Sequence, residues 1–86
     1  MKRNHLDICA DILRVSRNGA KKTHVVYKAN LNFKIVNKYL VELMEKDFLE
    51  NDGDRYFITD KGSDFIERYD LLVSPFNNRT TGVGWV

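Results

Sequence analysis

Apolar residues recur at helical spacing near the start of the chain, between a residue that can begin a helix and two that can stop it. Asn4 is a candidate N-cap, and Asp7 suits the positive end of a helix. Asn18 and Gly19 tolerate positive φ and are expected to stop the helix. The predicted apolar stripe comprises Leu6, Ile8, Cys9, Ile12, Leu13 and Val15. We therefore predict a scaffold helix that runs to about Ser16.

The next apolar positions predict a short second helix followed by a tight turn. Thr23 or a near neighbour is expected to cap this helix. Its buried side would comprise Val25, Val26 and Ala29. Asn30 suits a left-handed C-terminal position, and Asn32 is a candidate cap for the helix that follows. Leu31 precedes that cap and can pack against Val36 as a hydrophobic staple, which fixes the entry angle of the chain. Together these features indicate a helix-turn-helix.

The third helix, predicted over residues 33–46, has two different faces. The face expected to lie toward the core comprises Ile35, Val36, Tyr39, Leu40, Leu43 and Met44. Another face carries Lys34, Asn37, Lys38 and Val41 at the same spacing. A lysine there can pair with phosphate or guanine, and an asparagine can contact adenine through two hydrogen bonds. Any exposed helix face can carry such residues, but the cap and the basic helix upstream favour a helix that lies in the major groove of DNA.

Two short apolar-rich runs flank Asn51-Asp52-Gly53-Asp54 and predict a β-hairpin, the two-stranded wing. Arg55 is the one basic side chain near its tip, and it is a candidate contact to the DNA backbone or the minor groove. The carboxylates of Glu50, Asp52 and Asp54 would be repelled by phosphate. This charge argues against deep insertion of the wing into a groove.

A fourth helix is predicted from Asp60 to about Val73, with Thr59 as its cap and Ser74-Pro75 as its end. Its apolar stripe would comprise Phe65, Ile66, Tyr69, Leu72 and Val73. These elements predict an α+β, mostly helical fold with a three-helix core, a two-stranded wing and a C-terminal fourth helix.

The C-terminal tail is expected to pack against protein. The last turn of the fourth helix is more apolar than a lone domain requires, and the tail ends in Trp85-Val86, an anchor that a mobile tail rarely carries. We therefore predict a domain over residues 1–73 and a tail, residues 74–86, that packs on the domain or on a second subunit.

Length and composition are those of one small globular domain. Its 86 residues contain 43% hydrophobic and 30% charged residues, which lie in the ordinary soluble range. No apolar run approaches the roughly 20 residues that cross a bilayer. The N-terminal stretch MKRNHLDIC contains no apolar signal core. We expect a cytoplasmic protein with no membrane segment.

The net charge of +2 hides a strong asymmetry along the chain. Residues 14–38 include no acidic residue, whereas residues 39–86 include ten acidic and five basic residues. The basic residues of the first block are Arg14, Arg17, Lys21, Lys22, Lys28, Lys34 and Lys38. A basic block that faces an acidic remainder suggests a polyanion-binding surface on one side, although a solvated face without a partner is the alternative.

Residues that carry enzymatic chemistry are sparse. Cys9 is the only cysteine, and its place in an apolar stripe predicts a buried thiol. His5 and His24 are the only histidines, and they lack zinc-ligand spacing. The chain has no glycine-rich phosphate loop, HExxH motif or recognisable serine-histidine-acid set. We predict no enzymatic activity, no metal and no cofactor.

The order of these elements resembles the winged helix-turn-helix fold, and in particular the small archaeal winged-helix regulators related to the ArsR and MarR groups. The matching stretches are DICADIL in the first helix, KKTHVVYKANLNF across the second helix and turn, KYLVELMEKDFLE from the third helix into the wing, and RYFITDKG into the fourth helix. They span about residues 4 to 72, and their order and spacing are more specific than any one of them.

The resemblance implies sequence-specific binding of double-stranded DNA, usually as a homodimer, with the third helix in the major groove. It places recognition at Asn32, Phe33, Lys34, Asn37 and Lys38, with Thr23 as a phosphate contact. The basic residues Lys21 and Lys22 would contact the backbone beside Thr23.

Longer relatives extend the fourth helix into a coiled coil, whereas Pro75 ends that helix here. We therefore expect a dimer through the first helix, the end of the fourth helix and the tail. A winged helix that binds another protein without reading DNA is the alternative function. RNA binding is a third possibility, but the chain lacks an RNP-type aromatic pair and a GXXG loop.

Overall fold

The computed structural model describes residues 4–76, which form four α-helices and one antiparallel sheet. The helices are α1 (His5–Val15), α2 (Lys22–Ala29), α3 (Phe33–Glu45) and α4 (Asp60–Val73), and a 3-10 turn follows at Ser74–Phe76. The strands are β1 (Ala20–Lys21), β2 (Leu49–Asp52) and β3 (Arg55–Ile58). This order confirms the predicted fold class. The end of the predicted tail, including Trp85, lies outside the described residues.

The predicted caps of the first and last helices are confirmed. The side chain of Asn4 accepts a hydrogen bond from the Asp7 amide at 2.8 Å, and the Asp7 carboxylate accepts one from the Asn4 amide at 3.1 Å. This reciprocal pair is a capping box. The hydroxyl of Thr59 accepts a hydrogen bond from the Gly62 amide at 3.0 Å at the start of α4.

The predicted two-stranded wing is confirmed as the hairpin of β2 and β3, and a third strand that was not predicted extends the sheet to the order β1-β3-β2. Strands β2 and β3 pair around the turn Gly53-Asp54, in which Gly53 has a φ of 67°. On the other side of β3, Ala20 pairs with Tyr56 and Lys21 pairs with Arg55. A two-residue strand is too short to show an alternating pattern, which is why the sequence did not predict β1. Through β1 the wing is joined directly to the segment that enters α2.

One hydrophobic core lies between the helices and the sheet. Its fully buried side chains include Ile12, Leu13, Val25, Val36, Leu40, Leu43, Leu49 and Ile66. Burial of each such side chain stabilises the fold by roughly 1.5–3 kcal/mol, before the loss of conformational entropy. Gly62 brings α4 close to the segment before β2, because a Cβ atom at this position would lie 2.2 Å from the carbonyl oxygen of Phe48.

Three side chains that the sequence assigned to core-facing stripes are exposed. Leu6 is 48% exposed, Ile35 is 38% exposed and Leu72 is 68% exposed. All three lie in the first or last turn of their helices. Helical periodicity identifies the correct face, but it does not show how far along the helix that face is covered.

The polar side of α1 contacts α4. The hydroxyl of Tyr69 donates a hydrogen bond to Asp7, and Arg14 forms an ion pair with Asp70. The guanidinium of Arg14 also lies 5.8 Å from the centre of the Tyr69 ring, which favours a cation–π contact. The polar face of α1 therefore helps to hold the last helix in place.

The first residue of α1 contacts α3. The imidazole Nδ1 of His5 lies 3.2 Å from the hydroxyl oxygen of Tyr39, and its Nε2 lies 3.0 Å from a carboxylate oxygen of Glu42. These contacts fix one side of α3 against the scaffold helix. Among residues 4–76, no helix is both long enough and apolar enough to cross a membrane.

Candidate nucleic-acid interface

The turn between α2 and α3 is fixed by its own hydrogen bonds. Asn30 adopts the left-handed conformation, with φ 58° and ψ 49°, and the amide of Leu31 donates to the carbonyl of Val26 at 3.2 Å. The side-chain oxygen of Asn32 accepts a hydrogen bond from the amide of Ile35 at 2.8 Å. The predictions for Asn30 and Asn32 are confirmed. This geometry sets the angle at which α3 leaves the turn.

The start of α3 presents a polar, basic face to solvent. Its exposed side chains are Lys34, Asn37, Lys38 and Val41. The buried residues Val36, Leu40 and Leu43 lie on the other side of the helix. The first acidic residue of α3 is Glu42, so no carboxylate of this helix lies within its first nine residues. The positive end of the helix dipole adds to the charge of the two lysines.

Asn32 and Phe33 lie at the tip of this helix. Asn32 is exposed, but its side-chain oxygen is engaged in the cap, so the NH₂ group is the part that can contact a partner. Phe33 is the first helical residue, and half of its surface is exposed. A phenylalanine at the end of a reading helix can contact the methyl group of thymine.

Thr23 or a near neighbour was predicted to cap α2; Thr23 itself does not, and the neighbour at the N-cap position makes no side-chain cap. Lys21 is the N-cap, no side chain caps the helix, and Thr23 is the second helical residue. The reason is that Lys21 is paired with Arg55 in the sheet, so the strand passes directly into the helix without a loop residue. The first amides of α2 therefore have no side-chain acceptor. Free amides at a helix start can bind an anion such as phosphate.

Side chains from α2, β1 and β3 line an open groove with a volume of about 460 Å³. The groove is lined by Lys21, Thr23, His24, Tyr27 and Arg55. Lys21 and Arg55 are direct partners in the antiparallel ladder, which puts their side chains on the same face of the sheet. Sequence reasoning had selected three of these residues but missed His24 and Tyr27. Their spacing of three residues on one helix was the available signal.

The wing carries acidic charge beside this groove. A carboxylate oxygen of Asp54 lies 3.6 Å from Nζ of Lys21, and both side chains are largely exposed. Such an exposed pair is worth about 0–1 kcal/mol, so a polyanion can displace it. Arg55 forms no ion pair within 4.0 Å among residues 4–76, and it remains the available cation of the wing.

The predicted site residues thus form two groups. Asn32 caps α3, and Phe33, Lys34, Asn37 and Lys38 lie along its first two turns. Lys21, Thr23 and Arg55 line the groove, while Lys22 is half-buried at the first position of α2. All of these residues except Lys22 are exposed.

Two groups away from this surface have perturbed titrations. Burial, followed by the charge of Glu42, raises the pKa of the Cys9 thiol to about 11. Burial, followed by the hydrogen bond to Asp7, raises the pKa of Tyr69 to about 12. Both groups stay protonated at neutral pH, and the Cys9 thiol is therefore a poor nucleophile. Within residues 4–76, no three His, Cys, Asp or Glu side chains are grouped closely enough to hold a metal ion.

The arrangement of a capped helix after a tight turn, followed by a hairpin, defines a winged helix-turn-helix protein. The sequence model of the winged helix-turn-helix family matches residues 2–74, and the chain belongs to this family. The fold inferred from the resemblance is thereby confirmed, whereas a specific relationship to the ArsR and MarR groups stays a prediction.

Similar proteins come from archaea. The chain is 32% identical over 69 residues to the uncharacterized protein MJ0290 of Methanocaldococcus jannaschii, a match that covers 79% of this chain and 33% of that protein. It is 26% identical over 78 residues to MJ0287 of the same organism, with 85% and 80% covered. The chain therefore spans about a third of one relative and most of the other.

A solved structure has a similar fold. Sso10a-2, a DNA-binding protein from Sulfolobus solfataricus, superimposes with a TM-score of 0.77 at 29% identity. The match covers 92% of this chain and 87% of that one.

Proposed function

We propose that this protein binds double-stranded DNA sequence-specifically and regulates transcription, with α3 in the major groove. The observation that carries the proposal is the exposed face of Lys34, Asn37 and Lys38, free of carboxylates, on a helix fixed by its cap. The similarity to Sso10a-2, a DNA-binding protein, supports the DNA-binding part of this proposal. In this account the protein acts in the cytoplasm without catalytic activity, metal or cofactor.

The two groups of residues would have different roles in DNA binding. On α3, Asn37 would read a base, Lys34 and Lys38 would contact guanine or phosphate, and Asn32 and Phe33 would touch base edges at the helix tip. At α2 and the wing, Lys21, Lys22, Thr23 and Arg55 would contact the backbone and set the orientation on the duplex.

We propose further that the protein is a homodimer, with residues 1–73 as the domain and residues 74–86 as the tail. An apolar patch at the end of α4 supports this, since Leu71 is 73% exposed, Leu72 is 68% exposed and Phe76 is 85% exposed. Such patches mark interaction sites in soluble proteins. The interface would combine this patch with α1 and the tail. A Leu72→Arg variant should then dissociate to the 10 kDa monomer in light scattering, whereas a wild type that is monomeric at tens of micromolar would exclude the dimer.

A protein-interaction module is the second candidate function, and the same apolar patch together with the acidic wing favours it. In that case α3 would not read DNA, and partners would bind at the end of α4 instead.

Selection of bound duplexes from a random DNA library tests the proposed function. The expected result is an enriched motif, and a dimer should select two half-sites about 10–10.5 base pairs apart, centre to centre. Recovery of duplexes without any enriched motif would contradict sequence-specific reading.

A further inference from the structure

The groove between α2 and the sheet contains two side chains, His24 and Tyr27, to which the proposed duplex contacts give no role. Tyr27 is 81% exposed, and it shares one helix face with Thr23 and His24 because they are four and three residues away. Across the groove, Lys21 and Arg55 lie side by side on neighbouring strands. The groove thus has an aromatic wall and a cationic wall.

The cationic wall favours an anionic ligand. Like charges directly opposite each other in a ladder destabilise a sheet, and Lys21 and Arg55 are such a pair. The single nearby acid that pairs with them within 4.0 Å is Asp54, which contacts Lys21 alone among residues 4–76. A phosphate between the two cations would attract both and offset part of their mutual repulsion. The hydroxyl of Thr23 and the imidazole of His24 lie on the same groove and can donate hydrogen bonds to it.

The aromatic wall favours a base that is not paired. An exposed tyrosine ring among cations is the arrangement with which proteins stack the bases of single strands. The bases of an intact duplex are stacked on each other, and their flat faces are inaccessible to a side chain. The groove is also open, so it suits a strand that passes through more than a small molecule that must be enclosed.

We propose that this groove binds one unpaired nucleotide, with its base stacked on Tyr27 and its phosphate between Lys21 and Arg55. The inference rests on the proposed function, and it adds a preference for DNA that carries a single-stranded extension or an opened end. The duplex would lie along α3, and the unpaired strand would continue past the start of α2 into the groove. There Lys21 and Arg55 would hold the phosphate of the unpaired nucleotide in place of the backbone phosphate that they contact in a blunt duplex.

Fluorescence anisotropy with three labelled DNAs tests this proposal. The DNAs are a blunt duplex, the same duplex with a short oligothymidine extension, and the extension strand alone. The wild type should bind the extended duplex about tenfold more tightly than the blunt duplex, as expected for one stacked base. Tyr27→Ala should abolish this preference and leave blunt-duplex affinity unchanged, whereas Tyr27→Phe should retain it because stacking needs only the ring.

Glu67→Ala is the control, since Glu67 is an exposed residue of α4 that neither lines the groove nor belongs to the proposed dimer patch. It should keep the full preference. Equal affinity of the wild type for blunt and extended duplexes would overturn the inference while leaving the proposed function intact. Equal loss of affinity for both DNAs in Tyr27→Ala would also overturn it, because the groove would then contact only duplex backbone. A wild type that binds no duplex would instead refute the proposed function.

Discussion

The side-chain oxygen of Asn32 accepts a hydrogen bond from the backbone amide of Ile35 at 2.8 Å. This bond begins α3 one residue after Leu31 turns toward the core. The helix that we propose to read DNA is therefore positioned by a residue at its own tip. Loss of the cap should affect stability and binding together, because the first turn of α3 carries Lys34.

Asn32→Ala should lower the free energy of unfolding by about 1 kcal/mol, the usual cost of removing a cap. Asn32→Asp should keep the cap and the stability, but it should weaken DNA binding because it places a negative charge at the helix tip. Urea denaturation and anisotropy measured on the same samples separate the two effects. Equal stability of Asn32→Ala and the wild type would show that the cap contributes nothing.

Gly62→Ala tests the close approach of α4 to the segment before β2. Alanine favours a helix over glycine by about 1 kcal/mol, but the new Cβ would lie 2.2 Å from the backbone oxygen of Phe48, which cannot move aside easily. Overpacking costs about 1–3 kcal/mol, so we expect net destabilisation in thermal unfolding. The control is Ser63→Ala, an exposed position in the same turn that should be neutral or slightly stabilising. A stabilised Gly62→Ala variant would contradict the packing described for this helix.

Stability should fall in alkaline solution because of Tyr69. The pKa of this hydroxyl is about 12 in the folded protein and about 10 in an unfolded chain. Between these values the unfolded state releases a proton that the folded state retains, so the free energy of unfolding decreases as pH rises from about 10 to about 12. Urea denaturation of the wild type and Tyr69→Phe across this range should give a shallower decline for the variant.

Cys9 contributes to the same pH dependence. Its pKa is raised to about 11, so its titration also lowers the free energy of unfolding as pH rises. Repeating both titrations in a Cys9→Ala background removes that contribution. If the free energy of unfolding falls with pH equally steeply in the wild type and in Tyr69→Phe, the Tyr69 hydroxyl does not contribute to the pH dependence.

Much of the fold was predictable because its local signals agree with one another. The caps at Asn4, Asn32 and Thr59 and the left-handed Asn30 each depend on residues close in sequence, and all four were predicted. The bounds of α1, α3 and α4 followed, to within a residue, from the same signals. The exposed face of α3 was also predictable, because helical periodicity separates Lys34 and its neighbours from the buried residues.

The features that were missed depend on contacts between distant segments. Strand β1 forms because Ala20 pairs with Tyr56, which is distant in sequence. A strand of only two residues has no sequence pattern that predicts this pairing. The start of α2 at Lys22 is a consequence of that strand, which is why the sequence did not show that Lys21 holds the N-cap position without a side-chain cap. The groove lined by Tyr27 and Arg55 joins α2 to β3, and no local pattern connects them.

Asn37→Ala tests whether α3 reads bases. If the Asn37 side chain makes two hydrogen bonds to an adenine, its loss should cost about 1–3 kcal/mol on a preferred site and little on random duplex. Anisotropy with both duplexes measures the difference. Asn18→Ala is the control, because Asn18 is an exposed asparagine that lies before β1 and outside α3. This variant should bind both DNAs like the wild type. If Asn37→Ala loses affinity equally for the preferred and the random duplex, Asn37 does not contribute to sequence recognition.

The most direct test of duplex binding by this basic surface is a salt titration of the affinity. For a protein that contacts several phosphates, the logarithm of the binding constant should fall linearly with the logarithm of salt concentration, by about 0.9 per phosphate. Lys22→Ala should weaken binding to all sequences similarly and lower the slope by about one, whereas Arg68→Ala, which removes a cation that pairs with Asp64 on α4, should leave the slope unchanged. Absence of duplex binding at low salt, or an affinity that does not depend on salt, would contradict the account.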